Sequence, residues 1–135
     1  MTFYETELRR IRKQVYSNQQ QLDLVIGIKK LIDANYDSDL NLDMLSFHRF
    51  ISKYYLLRLF KRYFGLTPKQ YLIDKRIEKS KEFLRAGTSV TQTCFAVGFK
   101  SLGSFSVLFK EKIGISPKQY QKEQLSRSKL NSNHI

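Results

Sequence analysis

Tryptophan is absent from this 135-residue chain, cysteine occurs once, proline twice and glycine six times. Each scarcity removes a class of protein. The single cysteine, Cys94, excludes an internal disulfide and any multi-cysteine zinc or iron–sulfur site, and it fits a reducing compartment. With only Pro68 and Pro117 to interrupt it, most of the chain is free to be helical. No apolar run approaches the roughly 18 to 20 residues of a membrane span. The first twenty residues carry Glu5, Glu7, Arg9 and Arg10, which leaves no room for a signal-peptide core. Acids are scarce too: 12 Asp and Glu face 24 Lys and Arg, a net charge of +12. At 41% hydrophobic residues the chain can still bury a core, so that charge marks a surface rather than a disordered polycation. A soluble, cytoplasmic protein with a polyanionic partner is expected, nucleic acid ahead of a membrane surface.

Catalytic and metal-binding patterns are missing as well. His48 and His134 stand apart from each other and from Cys94. No Ser/His/Asp set, paired carboxylates or Gly-rich phosphate loop can be drawn from the spacing. The run Asp37-Ser-Asp-Leu-Asn-Leu-Asp43 begins like a calcium loop, but its sixth position is Leu42 instead of Gly and its twelfth is His48 instead of Glu. Turn and cap roles suit it better. Cys94 lies in a mainly apolar stretch and is expected to be a buried small residue. No enzyme, metal or cofactor is expected.

What the chain has is a phrase used twice. FKRYFGLTPKQY, Phe60 to Tyr71, returns at an offset of 49 as FKEKIGISPKQY, Phe109 to Tyr120, with seven of twelve positions identical. Its residues are helix punctuation. Gly65 and Gly114 can take the left-handed conformation that ends a helix, Thr67 and Ser116 can cap the next, and Pro68 and Pro117 suit a first helical position. Upstream, Ser52 and Ser101 are candidate N-caps of the helices that lead into each phrase. Before those serines the match slips by one: Ser46 answers to Cys94, and the turn Val97-Gly98-Phe99-Lys100 is one residue longer. Each unit is a short helix, a turn and a capped helix, which is a helix-turn-helix.

In that motif the second helix enters the DNA major groove. Leu56, Leu59, Phe60 and Tyr63 share the packing face of the first such helix, leaving Lys53, Tyr54, Leu57, Arg58 and Lys61 on another. Arg58 can fork onto a guanine, Tyr54 and Leu57 can cover a thymine methyl, and the lysines suit phosphates. The second helix offers Leu102, Gly103, Ser106, Val107 and Lys110, a smaller and mostly uncharged face. Insertions on one side of a duplex lie roughly 34 Å apart. A connecting helix from Pro68 to about Arg85 would run roughly 27 Å, so one chain could supply both.

The ordered set Ser52 to Lys61, Gly65-Leu-Thr-Pro68, Tyr71-Leu72 with Arg76-Ile77, Val97-Gly98-Phe99, Ser101 to Lys110, and Gly114-Ile-Ser-Pro117 with Tyr120 resembles the DNA-binding domain of the AraC/XylS family of bacterial transcription regulators. The resemblance covers about Leu22 to Tyr120. It implies an all-α fold of seven helices, two homeodomain-like helix-turn-helix subdomains joined by a connecting helix, that binds promoter DNA through adjacent major grooves, often with RNA polymerase as a further partner. By position it puts base contacts on Tyr54, Leu57, Arg58, Gly103, Ser104 and Val107; Lys53, Lys61 and Lys110 are assigned to phosphates. Val107 stands where the family commonly has Arg, so the first unit is expected to specify the site and the second to anchor it. Ser46 and Cys94 replace the family's small alanine. Phe50 stands where a turn glycine is common, which predicts a first turn of different shape. About 21 residues precede the match, as in a stand-alone member or an excised domain.

The expected divisions are an N-terminal amphipathic helical extension, 1–21; a first unit with connecting helix, 22–85; a second unit, 86–121; and a polar, mobile tail, 122–135. In the extension Thr2 and Glu5 form a candidate capping box, and Phe3, Leu8, Ile11 and Val15 share a face beside Arg9, Arg10, Arg12 and Lys13. Docking on the domain or self-association through 1–21 is expected ahead of membrane binding. The alternative function is a degenerate interaction module that acts through this helix and keeps only weak DNA affinity.

Overall fold

The computed structural model describes residues 2–132, and His134 lies outside them. The described residues form seven α-helices and no strand: α1 Phe3–Asn35, α2 Leu42–Arg49, α3 Lys53–Phe64, α4 Pro68–Arg85, α5 Val90–Ala96, α6 Leu102–Ile113 and α7 Pro117–Ser132. They make two compact units. One comprises residues up to Ala34 together with Asn41–Lys69, the other Asn35–Leu40 together with Gln70 onward.

In the first unit α1 buries Val25, Ile28 and Ile32, α2 buries Leu45 and Ser46, and α3 buries Leu56, Leu59 and Phe60. The i, i+3, i+4 spacing of the α3 set is the face expected from the sequence, and α2 packs against α3. The Tyr63 hydroxyl, at the end of α3, donates to Gln21 Oε1 of α1 at 3.2 Å.

The second unit is centred on aromatic rings. Phe105 packs between Phe99 at 5.3 Å and Phe109 at 5.8 Å, centroid to centroid, and Tyr120 meets Phe109 edge-on at 5.5 Å. Ile77, Leu84, Cys94 and Val97 complete the buried cluster. Tyr120 accepts a hydrogen bond from Arg85 Nη1 at 3.1 Å, and Gln121 Nε2 donates to the carbonyls of Leu84 and Thr88. The Gln121 amide thereby ties the start of α7 to the end of α4 and the turn after it, at a Leu84 carbonyl that also accepts from the Gly87 N–H at 3.1 Å.

A clamp that the sequence pattern does not announce sits beside this cluster. Arg76 donates from Nε to the Tyr36 carbonyl at 2.7 Å and from Nη2 to the Ser38 carbonyl at 2.8 Å, with its guanidinium over the Phe99 ring. Burial pulls its pKa down from the ordinary value, against the nearby charges of Asp39 and Asp37. Gly98 lies against the same group: a Cβ there would come within 2.8 Å of the Tyr36 carbonyl and 2.9 Å of Arg76 Nε.

Three features differ from the sequence-based expectation. The helical extension expected over 1–21 and the start of the first unit at 22 fall in one continuous helix, because no proline or glycine interrupts residues 3–26 and a lone mid-helix glycine, Gly27, is tolerated. The polar segment after Lys122 continues α7 to Ser132; its Lys, Glu, Gln, Arg and Leu are good helix formers whether or not they are buried. The third correction concerns Phe50. It takes φ 56°, ψ 40°, and its N–H bonds the Phe47 carbonyl while that of Ile51 bonds Ser46. Gly98 and Phe99 make the equivalent bonds to Phe95 and Cys94. The two turns therefore share one shape up to that point, and Phe50 holds the left-handed conformation without being glycine. The extra residue of the second turn is Lys100, whose ammonium pairs with Asp39 at 3.0 Å.

Candidate nucleic-acid interface

Helices α3 and α6 are each 12 residues long and are delimited in the same way. Ser52 Oγ accepts from the Tyr55 N–H, and Ser101 Oγ from the Ser104 N–H, both at 3.2 Å. At the far ends Gly65 and Gly114, at φ 77° and 97°, donate to the Lys61 and Lys110 carbonyls, both at 2.8 Å. Fixed at both ends, each helix buries one face in its own unit and leaves the other open. Ser116 repeats the cap for α7, accepting from the Gln119 N–H at 3.1 Å.

On α3 the open face carries Lys53, Tyr54, Arg58 and Lys61, all exposed, with Leu57 half-buried among them. Tyr54 is 78% exposed, so its ring is available on that face. The helix has four basic residues and no acid. Lys53 is not idle: its ammonium meets Asp43 Oδ1 of α2 at 2.8 Å, and that hydrogen bond and charge push its pKa up.

On α6 Gly103, Ser104, Val107 and Lys110 are exposed and Ser106 is half-buried. A Cβ on Gly103 would approach nothing closer than Ser101 Oγ at 3.8 Å. Packing within the unit therefore does not demand a glycine, although glycine costs a helix about 1 kcal/mol relative to alanine. Its absent side chain is room on the outer surface. Each unit thus brings its predicted residues onto one face of one helix.

Sequence reasoning missed the apolar surface beside α3. Phe47 and Phe50 are 78% and 91% exposed, their rings 6.4 Å apart, and with Met44 and Ile51 they line an open depression at the end of α2. The available signal was a bulky residue at the position that Gly98 holds in the second unit.

Other chemistry finds no footing. Burial pushes the Cys94 thiol above its ordinary value, which disfavours a nucleophilic thiolate. Among the described residues no group of three His, Cys, Asp or Glu could hold a metal ion, and no helix is long and apolar enough to cross a membrane.

Residues 47–123 match the model of a helix-turn-helix domain family of the AraC type. The chain is 35% identical over 91 residues to an uncharacterised helix-turn-helix transcriptional regulator of Pseudoalteromonas carrageenovora, a match that spans 67% of this chain and 54% of that protein. It is 30% identical over 108 residues to the Msm operon regulatory protein of Streptococcus mutans, spanning 79% of this chain and 39% of that one. The chain thus spans about half or less of the length of these relatives. In structure it is similar to the C-terminal domain of AraT, a response regulator from Geobacillus stearothermophilus, with a TM-score of 0.71, 27% identity and coverage of 74% of this chain and 84% of that one. These relatives are regulators, not enzymes, and their two helix-turn-helix units are the ones seen in this fold. With more than half of its length inside the matched model, the chain belongs to the AraC/XylS family of DNA-binding transcription regulators.

Proposed function

We propose that this chain recognises a specific double-stranded DNA sequence by inserting α3 and α6 into successive major grooves of one duplex, and that it regulates transcription from that site. One observation carries the reading: two helices capped alike at both ends present open, acid-light faces from two separate units. Arg58 reads a base by bidentate hydrogen bonding, Tyr54 and Leu57 make apolar contact with base edges, and Lys53, Lys61 and Lys110 hold phosphates. Gly103, Ser104 and Val107 let α6 approach the groove floor closely and add little hydrogen-bonded discrimination. The first unit selects the site and the second anchors it. At a promoter, RNA polymerase is the further partner.

A second reading, an interaction module with residual DNA affinity, is favoured by Gly103 and Val107, which bring no charge to the α6 face. Selection of bound sequences from random duplexes separates the two. Site-specific binding yields an asymmetric motif whose better-defined half lies under the first unit, whereas the interaction module yields none. Affinity for the selected site should fall with salt at a slope of about 0.9 per neutralised phosphate. A flat salt dependence would count against any duplex-binding role.

A further inference from the structure

The N-terminal half of α1 carries an apolar stripe that its own unit leaves bare. Tyr4, Leu8, Ile11, Val15, Asn18 and Leu22 are spaced alternately four and three residues apart. That is the alternation of the d and a positions of a heptad repeat. The C-terminal end of the stripe is covered within the unit: Val25 is fully buried, Leu22 is half-buried, and Arg62 and Tyr63 of α3 line one depression with Val15, Asn18 and Leu22. Further toward the N-terminus Tyr4 is 71% exposed, Ile11 49% and Val15 62%. A helix gains most of its stability in a protein from packing an amphipathic face, and Tyr4 and Ile11 leave much of this one in solvent.

We propose that residues 4–18 of α1 pair in parallel with the same segment of a second copy of this chain as a two-stranded coiled coil. Charge placement selects that occupant. With Leu8 at position a and Ile11 at d, Glu7 falls at g and Arg12 at e. In a parallel pair each g residue faces the e residue five positions on in the partner helix, so Glu7 meets Arg12 on both sides of the seam. Glu7 now holds Arg10 of its own helix at 2.9 Å, an exposed i, i+3 pair that exchanges at little cost. A lipid surface would call for a uniformly basic border along the stripe, whereas here Glu5 and Glu7 share the border with Arg12. Asn18 is the polar layer at which the paired segment ends and the unit begins.

The pairing is independent of the duplex reading and is tested without DNA. Sedimentation equilibrium of the full chain over rising concentration should show the mass climbing to a plateau at twice that of one protomer. Glu7→Arg and Arg12→Glu, each alone, should weaken self-association by at least about tenfold by putting like charges at both g–e contacts, and an equimolar mixture of the two variants should restore it. Ile11→Glu should abolish the rise in mass while circular dichroism still reports a helical protein. A single-protomer mass at every concentration, a plateau at another multiple, or charge variants that fail to rescue each other would overturn the proposal. So would binding of the single chain to phosphatidylserine vesicles that Ile11→Glu removes, which would give the stripe to a membrane.

Discussion

Phe50 and Gly98 hold the same left-handed turn position in their respective units, at φ 56° and 102°, and each donates its N–H to the carbonyl three residues back at 3.2 Å. Only one of them suits that conformation. A side chain in the left-handed region costs roughly 1 to 2 kcal/mol, and the Phe50 ring, 91% exposed, recovers little of it by packing.

Phe50→Gly should therefore stabilise the protein, by about 1 kcal/mol once the extra chain entropy of glycine is counted. Chemical denaturation of the two proteins measures it. A loss of stability would mean that the ring contributes to folding in a way its exposure conceals.

The converse substitution should be severe. Gly98→Ala adds a Cβ within 2.8 Å of the Tyr36 carbonyl and against Arg76, at a positive φ. Strain and the disturbed clamp together should cost about 2 to 4 kcal/mol. The same thermal or denaturant titration should show it as the larger effect of the pair.

For recognition, Arg58→Ala should weaken binding to the selected duplex by about 1 to 3 kcal/mol and relax one base preference. Lys61→Ala should weaken selected and random duplexes alike and lower the salt slope by about one. Equal losses on both duplexes from both variants would remove Arg58 from base reading.

The buried thiol sets an alkaline limit. Because burial raises the folded pKa of Cys94, its contribution to stability is complete below the unfolded thiol's value, near 9.0, and is lost as pH rises from there through the folded value. Cys94→Ala should flatten that part of the stability–pH curve. At neutral pH the native thiol should react with a maleimide only as fast as the second unit opens.

Much of this was legible because it is written in local chemistry. Ser52, Ser101, Gly65 and Gly114 act within three or four residues of themselves, so their roles follow from spacing. Phe60 and Phe109 declare their burial through the helical period. The Arg76 clamp joins positions about forty residues apart, and no local pattern encodes that. The turn at Phe50 was misjudged because propensity argues against a phenylalanine there, while the burial of Leu45 and Leu56 on either side fixes the path of the backbone. The N-terminal half of α1 was legible as a helix, but its unbroken run into residues 22–35 was not, because no cap or breaker marks a join in either direction.

The ion pair between Lys53 and Asp43 has one more consequence. A lysine already neutralised by a carboxylate 2.8 Å away adds nothing to the far field that draws a polyanion in, so α3 attracts DNA from a distance with one cation fewer than it contains. In the proposed complex a phosphate that reaches Lys53 takes the place of the Asp43 carboxylate, and so exposed a pair parts at little cost.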